Sequence, residues 1–149
     1  WTNPKDGVYR GVSAYYCHNS YVAQVVEVTL ENNQPKIQKV HYPGLKSFPQ
    51  YELGQRQMSG YGGLLSFELN TRDFSSIKSF VNNLQYFKLG VSWGGHESLV
   101  YAPLISYSKE LTEEQFISRN IVPGLIRISV GLEDVQDLID DLDQALTNI

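Results

Sequence analysis

Two stretches of this sequence hold the residue types that can do chemistry. Residues 91–99 place the hydroxyl of Ser92 and the indole of Trp93 just before a pair of glycines, in what we expect to be a turn. Residues 125–131 form an apolar run typical of a buried strand, and Arg127 interrupts it. A buried guanidinium without a partner is costly, so Arg127 needs an anion. The identity of that anion decides what this part of the chain does.

The composition indicates a globular protein and excludes several classes of function. The 149 residues fit one ordinary domain, and 42% hydrophobic with 19% charged residues is typical of a globular chain. The net charge of −4 argues against binding to nucleic acid or to anionic membranes, and no apolar run reaches the ~18–20 residues of a transmembrane helix. A single cysteine, Cys17, leaves no internal disulfide, so we expect a cytoplasmic setting. Because the chain starts at Trp1, we expect it to be cut from something longer or assembled.

Helical periodicity is clear over residues 73–85 and 134–147. Asp73 is the expected N-cap of the first helix, whose apolar stripe is Phe74, Ile77, Val81 and Leu84. The second helix has one apolar face, and aspartates 137, 140, 141 and 143 lie mostly on its other side. These aspartates do not converge on a point, so we predict a solvated face and no metal site.

Strand-like segments occupy much of the remainder. Alternation over residues 21–30 and 36–41, around a turn cluster at 31–35, predicts a hairpin. The alternative is that the stretch from Tyr21 ends a helix leading into a single strand. Further strands are predicted at 9–16, 64–69, 87–91 and 125–130, and short helices at 48–58 and 112–119. Residues 99–107, interrupted by Pro103, are predicted to be extended and at a sheet edge.

Together these elements predict an α/β fold, an α+β two-layer sandwich formed by residues 1–149 as a single domain. We expect a mixed, twisted sheet of about five or six strands. Helices 73–85 and 134–147 would cover mainly one face, and an N-terminal β-hairpin would pack at an edge or on the open face.

From about residue 30 to residue 149 the sequence resembles the C-terminal domain of the pyridoxal-phosphate enzymes of cysteine and methionine metabolism. These are the cystathionine β-lyases, γ-lyases and γ-synthases and the methionine γ-lyases. Four blocks carry the resemblance, namely residues 40–47, residues 60–68, the Ser92 turn and residues 125–134. The Ser92–Trp93 pair is similar to the cystathionine β-lyase branch. The resemblance implies a small domain of the aminotransferase-fold type, lying beside a large cofactor domain.

The resemblance also implies roles for three residues. The arginine matching Arg127 pairs with the substrate α-carboxylate, and the serine matching Ser92 assists it. A guanidinium fork suits this task because it binds a carboxylate bidentately and so fixes its orientation. Trp93 would form one wall of the pocket, and the glycines after it would let backbone approach the ligand. The expected partner is therefore the carboxylate of a sulfur amino acid.

The chemistry of that family needs a lysine in Schiff-base linkage to pyridoxal phosphate, an acid facing the pyridinium nitrogen and a phosphate cup. Neither Lys78 nor Lys88 lies in such a lysine motif. We therefore expect no catalytic residue and no cofactor in this chain alone. The resemblance implies an incomplete lyase that is inactive by itself. Without the large domain an apolar face would be exposed, which favours self-association into a homo-oligomer.

Residues 1–40 are similar to a segment of the molybdenum-cofactor subunits of isoquinoline- and xanthine-type oxidoreductases. Segments 6–14 and 20–28 carry this similarity, and they include none of the cofactor-holding loops. A change of family near residues 30–40 indicates a recombinant or designed chimera, with residues 1–40 and 41–149 of different ancestry.

Three functions stay open from the sequence. The chain is the substrate-recognising domain of a lyase, a designed or recombined fold without activity, or a carboxylate-binding module that uses Ser92 and Arg127.

Each site residue has a structural alternative. Arg127 would then form an ion pair with Glu97, Glu133 or Asp134. Ser92 would cap local backbone, and Trp93 would only pack.

Overall fold

The structure, a computed structural model, describes residues 8–17, 20–31 and 34–149. Its strands are β1 Val8–Cys17, β2 Ser20–Glu31, β3 Gln34–Pro35, β4 Ile37–His41, β5 Leu64–Leu69, β6 Lys88–Leu89, β7 Leu99–Tyr101 and β8 Leu125–Ser129. Its helices are α1 Tyr51–Gln57, α2 Phe74–Asn83, α3 Pro103–Tyr107, α4 Glu113–Ser118 and α5 Val135–Thr147. Within these ranges no helix is both long and apolar enough to span a bilayer.

Five strands form a mixed sheet in the order β4-β5-β8-β7-β6. Only β6 and β7 run parallel, and the other three neighbouring pairs are antiparallel. This confirms the predicted α/β fold with a mixed sheet. Alternation along β5 buries Leu65, Phe67 and Leu69 on one face, and the Phe67 ring meets Phe80 of α2 edge-on with 6.0 Å between centroids. The core is formed by Ile37, Tyr42, Leu65, Phe67, Leu69, Ile77, Phe80, Val81, Leu84, Phe87, Val100, Ala102, Ile126, Ile128, Leu138, Ala145 and Leu146.

Asp73 is the N-cap of α2, as predicted. Its Oδ2 accepts hydrogen bonds from the Ser76 N–H at 2.8 Å and from the Ser75 hydroxyl at 2.6 Å. The Ser75 hydroxyl, followed by the contacts from Ser76, lowers the pKa of Asp73 to about 2. The predicted apolar stripe is wrong at Phe74, which is the first helical residue and is 43% exposed.

Asp141 departs from the predicted solvated aspartate face of α5. It is only 3% exposed, and its carboxylate accepts the backbone N–H groups of Gln85, Tyr86 and Phe87 at 2.7, 2.8 and 3.2 Å. Position 141 follows buried Leu138 by three residues, so it lies on the inner face of the helix. The carboxylate ties α5 to the segment that connects α2 with β6.

The region around Pro103 also differs from prediction. β7 ends at Tyr101 and lies between β8 and β6, so it is not an edge strand. Pro103 begins α3, because proline is well tolerated in the first turn of a helix. The predicted strand at 87–91 is reduced to Lys88–Leu89, and the predicted helix at 48–58 is reduced to α1, which leaves Pro49 in the preceding turn.

The predicted hairpin between residues 21–30 and 36–41 is wrong in its pairing. β2 pairs antiparallel with β1, from Val8↔Thr29 to Cys17↔Ser20, and keeps only a two-residue pairing with β3. β4 pairs with β5 instead, with Val40 opposite Phe67. Burial of Ile37 in the five-stranded sheet explains why this segment leaves β2. Residues 1–7, 18–19 and 32–33 lie outside the described residues, and the last pair is the middle of the predicted turn cluster at 31–35.

Candidate functional site

Arg127 lies in the middle of a row of residues that crosses three strands. In the backbone register it is opposite Ser66 of β5 on one side and Tyr101 of β7 on the other. The neighbouring β8 residues Ile126 and Ile128 are buried in the core. Because side chains alternate along a strand, Arg127 projects from the face opposite the core.

The Arg127 guanidinium is held by backbone carbonyls. Its Nη2 donates to the carbonyl oxygens of Val91 at 2.9 Å and Ser92 at 3.0 Å, with a longer contact of 3.4 Å to Gly90. The ring of Tyr101 lies 5.0 Å from Cζ and that of Trp93 lies 5.5 Å from it. Its Nε is buried, and no described residue accepts a hydrogen bond from it. The carbonyls of residues 90–92 therefore accept hydrogen bonds from one nitrogen of the guanidinium. They are neutral groups, so they do not balance its positive charge.

The structural ion pair considered for Arg127 is not formed. Glu133 binds Ser98, Asp134 caps α5 through the Gln136 N–H, and Glu97 lies 3.2 Å from Nδ1 of its neighbour His96. Among the acids of residues 34–149 whose side chains the structure describes, none forms a salt bridge with Arg127. The three acids considered as partners are thus engaged elsewhere.

Ser92 and Trp93 both reach Arg127, but not in the way the sequence suggested. Ser92 contacts it through the main-chain carbonyl, while the residue as a whole is exposed. Trp93 is 61% exposed, so it is not a core packing residue. The structure thus brings the three predicted site residues together around one guanidinium.

Gly94 is required for its backbone conformation. It has a φ of +75°, which L side chains rarely adopt, while a Cβ there would meet nothing within 4 Å. Its N–H donates to Oγ of Ser129 at 2.9 Å, and this bond ties the turn to the end of β8. The positive φ is thus one reason for glycine at this position, and the close approach of a ligand stays a prediction.

Sequence reasoning missed Tyr101. Its ring stacks near the guanidinium and meets the Tyr107 ring edge-on at 6.5 Å between centroids. Burial, followed by hydrogen bonding with Tyr107, raises the pKa of the Tyr101 hydroxyl. Strand register would have placed Tyr101 opposite Arg127, but the pairing of β7 with β8 was not predicted.

A second missed group is Glu133 with Ser98. The carboxylate accepts hydrogen bonds from both the N–H and the hydroxyl of Ser98, each at 2.7 Å. Burial tends to raise the pKa of Glu133, but the two bonds from Ser98 outweigh it and lower the pKa. No periodicity or motif in the sequence marks this pair.

Neither Lys78 nor Lys88 contacts Arg127 in the described structure. Lys78 is exposed on α2, which packs on the core side of the sheet, and Lys88 bonds its amino group to the carbonyl of Gln85. The side chains that contact Arg127 are aromatic, so no amine is placed beside it. Nor do the described residues hold a cluster of three metal-ligating side chains.

Comparison with known proteins places this geometry in context. Residues 17–147 match the family described as Cys/Met metabolism PLP-dependent enzyme. The cystathionine beta-lyase of Lactococcus lactis subsp. cremoris (strain MG1363) is 45% identical over 128 residues, which cover 83% of this chain and 32% of that protein. The L-methionine gamma-lyase of Fusobacterium nucleatum subsp. polymorphum is 38% identical over 154 residues, covering 98% of this chain and 38% of that protein.

Solved structures are similar to this chain as well. The cystathionine gamma synthase from Xanthomonas oryzae pv. oryzae in complex with cystathionine superposes with a TM-score of 0.67 and 36% identity, over 76% of this chain and 29% of that one. The cystathionine gamma lyase CalE6 from Micromonospora echinospora gives a TM-score of 0.67 with 39% identity, over 76% of this chain and 29% of that one. The chain thus spans about a third of the length of the relatives it matches.

The comparisons give no support to a molybdenum-enzyme origin for residues 1–40 or to a chimera. The family match begins at residue 17, well before the expected change of ancestry, and the Fusobacterium enzyme aligns with nearly all of the chain. This chain belongs to the Cys/Met metabolism family of pyridoxal-phosphate-dependent enzymes.

Proposed function

We propose that this chain is the substrate-carboxylate-recognising small domain of a transsulfuration-type pyridoxal-phosphate-dependent lyase, and that it is inactive alone. The observation that carries the proposal is the state of Arg127. Its guanidinium is oriented by two close carbonyls and two aromatic rings, yet no described acid neutralises its charge.

The arrangement suits a carboxylate ligand. No hydrogen bond joins Nη1 of Arg127 to the described residues, so its two hydrogens are available to an anion. The rings of Trp93 and Tyr101 lie 5.5 and 5.0 Å from Cζ of Arg127, and a bond from its guanidinium to a carboxylate would be charge-assisted, which makes it stronger than a neutral hydrogen bond. In this proposal Arg127 grips and orients the substrate, Trp93 forms a wall of the pocket and Ser92 assists at its rim.

Sulfur amino acids are the proposed ligands, because the relatives named above act on cystathionine or methionine. Pyridoxal phosphate in such enzymes supplies an electron sink at the substrate α-carbon. Neither Lys78 nor Lys88 contacts Arg127, so we assign this chain recognition and no chemical step. We also propose a cytoplasmic setting, because the single cysteine leaves no internal disulfide.

Titration with ligand tests the recognition role. L-cystathionine, L-cysteine and L-methionine are titrated into the 149-residue chain and into Arg127→Ala, with binding followed by chemical shifts. We expect Arg127→Ala to weaken binding at least about tenfold, as for loss of a charge-assisted bond. The matched control is Arg56→Ala, since Arg56 is exposed on α1. Equal affinity in the chain and Arg127→Ala would refute the proposal, and binding to neither would favour a fold without activity.

A second experiment tests inactivity. The chain is incubated with pyridoxal phosphate, reduced with borohydride and analysed by mass spectrometry after proteolysis. We expect no single lysine to be modified stoichiometrically. Stoichiometric labelling of one lysine, together with turnover of cystathionine, would show that the chain holds the cofactor itself.

A further inference from the structure

We propose that Glu133 is a positioning residue of this site. By holding Ser98 it fixes the loop of residues 90–98, whose carbonyls orient Arg127. The inference deepens the proposed function and rests on it where it concerns carboxylate binding. The part that concerns the orientation of Arg127 stands on geometry alone.

The contact between Glu133 and Ser98 uses every polar group of both side chains. Oε1 of Glu133 accepts the Ser98 N–H at 2.7 Å, and Oε2 accepts the Ser98 hydroxyl at 2.7 Å. The same hydroxyl accepts the Gly131 N–H at 2.8 Å. Ser98 is completely buried, with 0% exposed. One carboxylate therefore joins the end of the loop to the connection between β8 and α5.

Two other contacts tie the loop to the same connection. The Leu132 N–H donates to the carbonyl of His96 at 2.9 Å, and the Gly94 N–H donates to the Ser129 hydroxyl at 2.9 Å. The packing is tight, because a Cβ added at Gly131 would lie 2.4 Å from the His96 carbonyl oxygen. Residues 94–98, the second half of the loop, thus have little room to shift while Glu133 holds Ser98.

The position of residues 90–93, the first half of the loop, depends on that of residues 94–98. The base of the loop closes where the Lys88 N–H donates to the Ser98 carbonyl at 3.0 Å. The carbonyls of Val91 and Ser92 that bind Arg127 lie between that base and the anchored Gly94. Release of Ser98 therefore moves the acceptors of Arg127, although Glu133 itself does not touch the arginine.

Hydrogen exchange followed by NMR measures this dependence. In Glu133→Ala we expect amide exchange at Ser98 and Gly94 to rise by about tenfold or more, which corresponds to loss of one or two hydrogen bonds. Exchange of the Arg127 Hε should rise by a similar factor, because its nitrogen is protected by burial beneath the loop and not by a hydrogen bond. The affinity for L-cystathionine should fall by a similar factor. Glu133→Gln retains one acceptor oxygen, so its exchange rates should be intermediate. The control is Asp137→Ala, an exposed acid on α5, which should leave all three rates unchanged.

A purely structural role for Glu133 predicts a different outcome. The Ser98 amide would lose protection, while the Arg127 Hε exchange and the L-cystathionine affinity stayed at their original values, and that result would overturn the proposal. If Glu133→Ala does not fold, Glu133→Gln and Ser98→Ala carry the same comparison. Failure of the unsubstituted chain to bind L-cystathionine refutes the proposed function, whereas the coupling between Glu133 and the Arg127 Hε still decides the positioning role.

Discussion

Tyr101 is directly opposite Arg127 in the β7–β8 ladder, and its ring centroid lies 5.0 Å from Cζ of that arginine. The two side chains meet because residues opposite each other in an antiparallel pair share one face of the sheet. Trp93 reaches the same guanidinium from the loop at 5.5 Å. One aromatic partner of Arg127 is thus placed by strand register and the other by a turn.

Replacing Tyr101 separates the contribution of its ring from that of its hydroxyl. Tyr101→Ala removes a cation–π contact of about 0.5–2 kcal/mol together with packing, so we expect weaker cystathionine binding and a lower free energy of unfolding. Tyr101→Phe keeps the ring and should retain the affinity. Urea unfolding and ligand titration of both variants make the measurement. A loss of affinity in Tyr101→Phe equal to that in Tyr101→Ala would show that the hydroxyl is what matters.

Removal of the Asp141 carboxylate should destabilise the fold strongly. Asp141→Ala leaves the backbone N–H groups of residues 85–87 without their acceptor, and each unsatisfied donor costs about 1–3 kcal/mol. We expect the free energy of unfolding to fall by about 3 kcal/mol or more, measured by urea denaturation.

Asp137→Ala serves as the control for Asp141. Asp137 lies on the exposed side of the same helix, and its replacement should change stability by no more than about 0.5 kcal/mol. Similar losses in the two variants would mean that the buried carboxylate has no special role.

The pH dependence of stability should include a contribution from Glu133. Its pKa is lowered in the folded chain from the ordinary value of 4.5, because the bonds from Ser98 to the carboxylate outweigh burial. The ionised form is therefore favoured by folding, so this stabilisation is complete above pH 4.5 and is lost as the pH falls through the folded pKa. Urea unfolding at several pH values should show that Glu133→Gln loses less stability on acidification than the unsubstituted chain. Parallel pH profiles for the two proteins would contradict the assignment.

Gly94 and Gly62 offer a matched pair of alanine substitutions. Both have open space where a Cβ would lie, but only Gly94 has a positive φ. We expect Gly94→Ala to cost about 1–2 kcal/mol, since the left-handed conformation disfavours a Cβ, and Gly62→Ala to cost much less. Thermal unfolding of both variants measures the difference. Equal costs would show that the turn relaxes to another conformation.

The parts of the fold that sequence predicts are those with regular periodicity. Alternation defined β5, the i, i+3, i+4 spacing defined α5, and Asp73 marked the start of α2 because a short acidic side chain there caps the helix. These are local signals, so they do not depend on which strands become neighbours.

The errors arose where long-range pairing decides the structure. Residues 36–41 alternate as a hairpin strand would, but β4 joins β5, where it buries Ile37. Pro103 could end an extended segment or begin a helix, and only the tertiary structure selects the helix. The position of Arg127 in a strand was predicted, whereas its carbonyl partners were not, because no sequence pattern specifies the path of an irregular loop.

The loop carbonyls that hold Arg127 belong to the main chain, which every amino acid supplies. Substitutions at Val91 or Ser92 can alter the size and polarity of the surface beside the guanidinium while the acceptors at 2.9 and 3.0 Å stay in place. The contacts that hold Arg127 are therefore independent of the side chains at positions 91 and 92, whereas the surface beside the guanidinium depends on them. A substitution at either position can therefore change which ligand fits beside Arg127 while the arginine keeps its main-chain contacts.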